Sequence, residues 1–162
     1  MTFPSSIRDS VLTLLKTTGF AVLATESAGQ PHTSLIAVTP LDEGKRLVFA
    51  TYRNTQKFTI LLQNPKVSLL IDGRHRETAC GTPDGLILSA VGRVQHIDAG
   101  VMSHMLESHL HKHPDLMAFT QKPDCVLLEV LVDRYQVVRG IDDVTWWCMY
   151  DLKQPEHKSR TE

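Results

Sequence analysis

The sequence is poor in cysteine and contains no long hydrophobic run. Its three cysteines, Cys80, Cys125 and Cys148, are odd in number, and no two of them have the spacing of a metal site. This excludes a disulfide framework and is typical of a reducing compartment. No apolar stretch approaches the roughly 20 residues that a membrane span needs, and the first residues lack the apolar core of a signal peptide. We therefore expect a cytoplasmic protein with no membrane partner.

The sequence also lacks an excess of basic residues and the common nucleotide-binding motifs. Its 17 lysines and arginines are balanced by 18 aspartates and glutamates, spread along the chain. This balance argues against a nucleic-acid partner, which requires clustered positive charge. The glycine-rich fingerprints of dinucleotide-binding and P-loop proteins are absent as well. A local basic site for a small anion remains compatible with the composition.

Hydrophobic residues are numerous enough to build one folded domain. They make up 42% of the 162 residues, and charged residues make up 22%, which excludes a disordered chain. The length fits one domain and leaves little room for two. We expect a single domain over residues 1–153, followed by a polar tail at residues 154–162.

Three stretches have helical character. The apolar residues between Ile7 and Leu15 recur with helical spacing, so a helix is predicted there, with Ser5 or Ser6 capping its start and Gly19 ending it. A short helix is predicted over residues 55–63, since Asn64-Pro65 must stop it. A third helix is predicted from Asp98 to the His113-Pro114 pair.

Strand-like runs separated by short turns occupy most of the remaining chain. They lie at residues 20–25, 32–40, 47–51, 67–71, 86–97 and 125–138, and residues 144–150 form a candidate seventh strand. Within 32–40, Leu35, Ala37 and Thr39 share one face of the strand. We expect a bulge or sharp bend at Gly92 and a bend near Asp133. Short links between neighbouring strands favour a closed antiparallel barrel decorated by helices.

The segment with the clearest chemical potential runs from Ala50 to Lys57, where a buried strand leads into a helix. Asn54 or Thr55 is a natural N-cap, and the helix N-terminus offers unpaired N–H groups and a partial positive charge. With Arg53 and Lys57 added, the segment suits a phosphate dianion. The same spacing is also typical of an ordinary capped helix with solvated charges, which is the commoner arrangement.

The runs HTSLIAV and LVFATYRNTQKFTILLQNPKVSLLID together resemble the pyridoxamine 5′-phosphate oxidase-like flavin-binding split barrels. The matching positions are Ala50-Thr51, Thr55, Lys57 and the segment from Asn64 to Leu69, and the similarity is clear over residues 19–72. The resemblance implies a mainly β fold, a six-stranded antiparallel split β-barrel with flanking helices. It also implies FMN as cofactor and a homodimer with the flavin at the subunit interface.

The resemblance also implies a role for each matching position. Arg53, Thr55 and Lys57 would hold the FMN phosphate, with Asn54 in the same loop. Backbone groups of Ser34, Leu35 and Ile36 would meet the polar edge of the isoalloxazine ring. Ala50 and Thr51 would lie under the ribityl chain or the ring.

The sequence departs from the oxidase subgroup of the family at two places. Gln56 stands where a true oxidase often has a second arginine, and the C-terminal arginine-containing substrate motif of that subgroup is missing. Oxidation of pyridoxamine phosphate is therefore not expected. The resemblance implies an FMN-dependent oxidoreductase acting on an unidentified small substrate, with a reduced nicotinamide as one possible donor and no identifiable catalytic acid or base.

Three alternatives stay open: a non-catalytic flavin carrier or redox sensor, a haem-binding or haem-degrading protein, and a deazaflavin site. The haem alternative is motivated by the histidines of residues 104–113, although no full ligand set accompanies them, and surface histidines on an amphipathic helix are the more common explanation. Adjacent Trp146 and Trp147 should point to opposite faces of a strand. Cys80 lies beside Arg74 and Arg76 and is interpreted as an ordinary loop cysteine.

Overall fold

The computed structural model describes residues 4–74 and 85–149. Cys80, most of its loop and the predicted polar tail lie outside these residues. None of the described helices is long and apolar enough to cross a membrane. The helices are α1 (Ser5–Thr17), α2 (Gln56–Gln63), α3 (Ala99–Lys112) and α4 (Met117–Thr120). The strands are β1 (Phe20–Ser27), β2 (Gln30–Ala37), β3 (Thr39–Leu41), β4 (Arg46–Tyr52), β5 (Lys66–Asp72), β6 (Ile87–His96), β7 (Cys125–Gly140) and β8 (Asp143–Cys148).

The sheet closes on itself through one bent segment of chain. Its strand order is β2-β1-β5-β6-β7-β4-β3, and every pairing is antiparallel. The two ends of this order, β2 and β3, are consecutive in the chain and are separated only by Val38. Segment 30–41 therefore pairs with β1 through its first part and with β4 through its last part, and this closes a barrel.

The structure confirms the fold class and differs from the sequence prediction in the strand count. The described residues form eight strands, whereas six were predicted for the barrel. The predicted strand at 32–40 is divided at Val38, where the chain changes partner, and the candidate seventh strand is present as β8, paired with β7. If segment 30–41 is counted as one bent strand, six strands form the ring and β8 lies outside it.

The pairing of β6 with β7 contains the bulge predicted at Gly92. Val91 pairs with Arg134 and Gly92 pairs with Val132, so Asp133 is the extra residue on β7. A Cβ atom on Gly92 would lie only 2.1 Å from the carbonyl oxygen of Leu131. Glycine is therefore required here for close backbone approach, and the bulge bends both long strands where the barrel turns.

The barrel interior is filled by apolar side chains from all of its strands. Leu23, Phe49, Leu69 and Leu88 have no exposed surface, and neither does Tyr135, whose hydroxyl donates a hydrogen bond to the carbonyl of Gly44 at 2.7 Å. A smaller cluster outside the barrel packs α3 against β4 and β7. Its buried members are Val48, Ile97, Met105 and Leu127.

Helix α1 covers one side of this core with the predicted apolar stripe, since Val11, Leu14 and Leu15 are buried. The predicted serine cap is wrong: Pro4 is the N-cap residue, and no side chain caps the helix start.

The prediction that Trp146 and Trp147 point to opposite faces of a strand is confirmed. Trp147 packs against Tyr135, with ring centroids 5.8 Å apart, while Trp146 lies under the Arg134 guanidinium on the other face.

Candidate functional site

The turn from β4 into α2 has the local structure that the sequence predicts. Thr55 is the N-cap of α2, and its hydroxyl accepts a hydrogen bond from the Phe58 amide at 3.4 Å. The same hydroxyl donates to the Tyr52 carbonyl at 2.8 Å and lies 3.2 Å from the hydroxyl of buried Thr51. Two threonine hydroxyls therefore fix the end of β4 against the first turn of the helix.

The donors at this turn have few partners within the described residues. The amides of Gln56 and Lys57 have no protein acceptor there, as expected for the first turn of a helix. No described carboxylate pairs with Arg53 or Lys57. The exposed Asn54 lies between them. The turn therefore combines a helix N-terminus with two cations that have no described carboxylate partner, an arrangement that can hold a doubly charged anion.

The start of β7 supports the turn from the other side. The Arg53 amide donates to the Asp124 carbonyl at 3.0 Å, and the Arg53 guanidinium donates to the Pro123 carbonyl at 3.3 Å. Cys125 pairs with Tyr52 in the sheet. Burial raises the pKa of the Cys125 thiol, and the positive charge of Arg53 opposes that rise.

Sequence reasoning missed the aromatic contact beside this turn. The Tyr52 ring stacks on Phe119 of α4 with centroids 4.2 Å apart, and the Lys122 ammonium lies 5.5 Å from the centroid of the Tyr52 ring. The segment that supplies Phe119 and Lys122 was assigned no structure from its sequence. A third cation therefore lies over the Tyr52 ring at the end of β4, although no local pattern marks it.

A gap in the barrel lies between β2 and β4. The β3–β4 ladder extends from Arg46 to Val48, and no ladder joins β2 to the rest of β4, although their Cα atoms approach within 8 Å. One edge of β2 is therefore not hydrogen-bonded to another described strand. Such an edge offers backbone N–H and C=O groups to a ligand.

The predicted cofactor-binding residues lie around this gap on different faces. Ser34 and Ile36 share the inward face of β2, and the Ser34 hydroxyl is buried with no hydrogen-bond partner in the described structure. Leu35 points outward. On β4, Thr51 points inward toward Thr55, whereas Ala50 packs against the apolar cluster under α3. The structure thus gathers Thr51 and Thr55 at one corner, with Lys57 in the first turn of α2, but turns the side chains of Leu35 and Ala50 away from that corner.

A row of exposed apolar side chains crosses the outer face of the sheet. Val22 on β1 pairs with Leu35 on β2 and with Leu70 on β5, so the three side chains lie next to one another. Leu35 is 68% exposed, and Phe20 extends the row along β1 with 58% of its surface exposed. We call these four residues the outer apolar row. A contiguous apolar surface of this kind is typical of an interaction site.

The histidines of α3 do not form the surface cluster that the sequence suggests. His104 and His111 are exposed, but His109 is fully buried, and its Nδ1 lies 2.8 Å from the Thr39 hydroxyl. The surface interpretation is therefore wrong for His109. His113 lies beside it, with ring centroids 5.0 Å apart, and its Nε2 lies 3.0 Å from the Val38 carbonyl oxygen.

The buried position of His109 has a strong electrostatic consequence. Burial lowers its pKa to about 4, and the neighbouring charges of His113 and Lys112 act in the same direction. The buried imidazole is therefore neutral near pH 7. In the described part of the chain, no three His, Cys, Asp or Glu residues are placed to hold a metal ion.

Comparison with known proteins identifies a family over most of the chain. The sequence profile described as pyridoxamine 5′-phosphate oxidase matches residues 7–139. No curated protein sequence matches the chain.

Solved structures with the same fold include proteins named for different ligands and activities. A haem-binding protein from Mycobacterium smegmatis has a TM-score of 0.77 at 17% identity, and the match covers 91% of this chain and 60% of that protein. A putative pyridoxamine 5′-phosphate oxidase from Listeria innocua has a TM-score of 0.63 at 17% identity, covering 83% and 99% of the two chains. An FAD-binding protein from Mesorhizobium loti has a TM-score of 0.61 at 17% identity, covering 83% and 94%.

Proposed function

The chain belongs to the pyridoxamine 5′-phosphate oxidase family, and from this premise we propose that it is an FMN-dependent oxidoreductase acting on a small substrate. The observation that carries the proposal is the β4–α2 turn. There, two free helix amides lie at a capped helix start, next to Arg53 and Lys57, neither of which pairs with a described carboxylate. Fixed donors and two cations are what a phosphate monoester dianion requires.

The gap beside β2 supports a ring site next to this phosphate site. The buried Ser34 hydroxyl lacks a protein partner, and such an atom normally requires a hydrogen bond from a ligand or water. At the unpaired edge of β2, the backbone N–H and C=O groups of Leu35 are free, because those of Ser34 and Ile36 point toward β1. These groups fit the polar edge of an isoalloxazine ring, while Thr51 and Thr55 line the corner between the ring and the phosphate.

The protein contributes position and electrostatics to the proposed reaction. A bound flavin supplies hydride and electron transfer, and a reduced nicotinamide is the donor class that we propose. The side chains of Lys57 and Arg53 hold the phosphate end, which orients the rest of the cofactor. No acid or base needs to be assigned, because hydride transfer depends mainly on placement.

The outer apolar row supports a homodimer. Phe20, Val22, Leu35 and Leu70 expose large apolar surfaces on the outer face of β1, β2 and β5, and Leu35 lies on the strand with the free edge. A partner subunit that covers this row would bury those surfaces and would also border the proposed ring site. We therefore propose that the cofactor lies at the subunit interface.

Titration of the protein with FMN tests the phosphate site. Lys57→Ala and Arg53→Ala should each weaken FMN binding by about tenfold or more, because a hydrogen bond to a charged group contributes roughly 1.5–3 kcal/mol. Lys66→Ala is the matched control, since Lys66 is an exposed lysine beyond the other end of α2. Parental affinity in both site variants would rule out the site.

Absorbance and rapid kinetics separate the remaining alternatives. Flavin bands in the purified protein support the proposal, whereas a Soret band would favour haem binding, as in the mycobacterial haem-binding protein of the same fold. Extraction and chromatography of the cofactor distinguish FMN from FAD and from a deazaflavin. Stopped-flow mixing with NADH or NADPH should reduce the bound flavin, and the absence of reduction by both donors would favour a carrier.

A further inference from the structure

A groove separate from the β4–α2 turn lies between α1, β3 and α3. It has a volume of about 640 Å³, which is within the range of small-molecule sites. One wall is a single face of α3, formed by His104, Glu107, Ser108 and His111. Lys16 lies on the opposite wall, and the floor is formed by Thr39, Pro40 and Leu41. We call this site the α1–α3 groove.

The two walls of the groove are fixed relative to each other. The Lys112 ammonium donates hydrogen bonds to the carbonyls of Leu15, Thr18 and Val38, at 2.9, 2.7 and 2.8 Å. This joins the C-terminal end of α1 to α3 and to the chain before β3. The hydrogen bond between Thr39 and buried His109 joins the floor to α3 in the same way. The groove is therefore preformed, which reduces the entropy that a ligand would lose on binding.

The groove continues along β3 over a second, more apolar hollow. The second hollow has a volume of about 330 Å³ and shares Lys16, Pro40 and Leu41 with the first. Leu12 and Leu15 add apolar surface there. A ligand could therefore place a polar head beside α3 and an apolar body against α1 and β3.

The charges around the groove favour an anion. Lys16 has no ion-pair partner among the described residues, and His104 and His111 add exposed imidazole donors. The acidic residues at the far end are already paired, Asp42 with Arg46 and Glu43 with Arg8. Glu107 is the one carboxylate in the described lining that lacks such a pair.

We propose that the α1–α3 groove binds an amphipathic organic anion, such as an aromatic or aliphatic carboxylate, sulfonate or phosphate ester. Lys16 and His111 contact its acidic group, and Pro40 and Leu41 contact its apolar body. None of the residues that line the groove belongs to the β4–α2 turn or to the gap beside β2. The site is therefore additional to the flavin site and does not depend on it.

Calorimetric titration with anilinonaphthalene sulfonate, an amphipathic aromatic anion, tests the proposal. Lys16→Glu and His111→Glu should each weaken binding of this probe by about tenfold, since each replaces a donor by a repelling carboxylate. Both residues are exposed, so the variants should fold, and their circular dichroism and FMN affinity should equal those of the parent. Lys66→Glu makes the same charge change away from the groove and should leave probe affinity unchanged.

A further variant distinguishes the groove from the outer apolar row, which could also attract the probe. Leu35→Ser should leave affinity for the probe unchanged. The proposal is overturned if Lys16→Glu and His111→Glu bind the probe as the parent does, or if Leu35→Ser abolishes binding. Because FMN affinity is measured separately, failure here is distinguishable from failure of the flavin assignment.

Discussion

The imidazole of His109 is fully buried, yet its Nε2 has no hydrogen-bond partner in the described structure. Only Nδ1 is engaged, by the Thr39 hydroxyl. A charged imidazole in this position would lose its hydration and would lie near the positive charges of Lys112 and His113. His109 therefore stabilises the folded chain only while it is neutral.

The pH dependence of stability should show this constraint. The unfolded chain binds a proton at His109 with an ordinary pKa near 6.5, whereas the folded chain does so near 4. Between these values the unfolded state holds more protons, so stability is full above about pH 6.5 and falls as the pH drops toward 4. The loss at about pH 5 should be roughly 2 kcal/mol. Urea unfolding at about pH 7.5 and about pH 5 measures it.

Two variants identify the residue responsible. His109→Leu removes the titrating group at some cost in stability at neutral pH, and it should lose less stability than the parent on acidification. His111→Ala removes an exposed histidine two positions away and should keep the parental pH dependence. Equal pH dependence in His109→Leu and the parent would contradict the lowered pKa.

The burial of His109 was in part readable from the sequence. Val101, Met105 and His109 follow one another at intervals of four, so His109 continues the apolar stripe of α3. The dense run of neighbouring histidines led to the prediction of a surface cluster instead.

The unpartnered Ser34 hydroxyl has no local signal in the sequence, since its burial depends on strands far away in the chain.

At the scale of elements, the β6–β7 bulge is the feature most sensitive to a single methyl group. A Cβ at Gly92 would overlap the Leu131 carbonyl, so Gly92→Ala must move one of the two strands. We expect a loss of about 2 kcal/mol or more in the free energy of unfolding. Gly100→Ala is the matched control, because a Cβ there meets nothing within 4 Å and alanine favours the helix.

Chemical denaturation of both variants tests this expectation. Gly100→Ala should equal the parent or exceed it in stability. A Gly92→Ala variant as stable as the parent would show that the strands can separate without cost and that the close approach is not required.

The elements with complete local signals were predicted well. Thr55, one of the two residues predicted as candidates with Asn54, caps α2, and a cap of this kind is recognisable without distant contacts. The hairpin between β1 and β2 was also predicted, from strand periodicity and the turn at Gly29: both central residues, Ala28 and Gly29, have positive φ, which glycine adopts freely and alanine only at a cost. The break at Val38 was not predicted, because it arises where the chain exchanges one partner strand for another.

At the scale of the whole molecule, the unpredicted features are those set by the closure of the barrel. Alternation in residues 32–40 places Leu35 and Ser34 on opposite faces of the strand, but it does not determine which face is turned to the core. That choice depends on the pairing of β1 with both β2 and β5. The gap beside β2 and the outer apolar row are consequences of this long-range register, and so the proposed ring site and dimer surface could be located only in the folded chain.

The outer apolar row leads to a prediction about assembly. A stable interface usually covers about 800 Å² on each partner, with a fully desolvated apolar centre. Leu35 and Leu70 flank Val22 at the centre of the row, so the double variant Leu35→Arg/Leu70→Arg would place two charges where a partner must exclude water. Light scattering with saturating FMN should give a dimer mass for the parent and a monomer mass for this variant.

A control for surface charge is available at the turn between β7 and β8. Ile141 is 98% exposed and lies away from the row, so Ile141→Arg should leave the dimer intact. Because the flavin is proposed to lie at the interface, the monomeric double variant should also bind FMN more weakly than Ile141→Arg does. A monomeric parent would contradict the proposed dimer. A monomeric double variant with parental FMN affinity would instead show that the cofactor site is separate from the interface. The gap beside β2 would then be a site complete within one subunit.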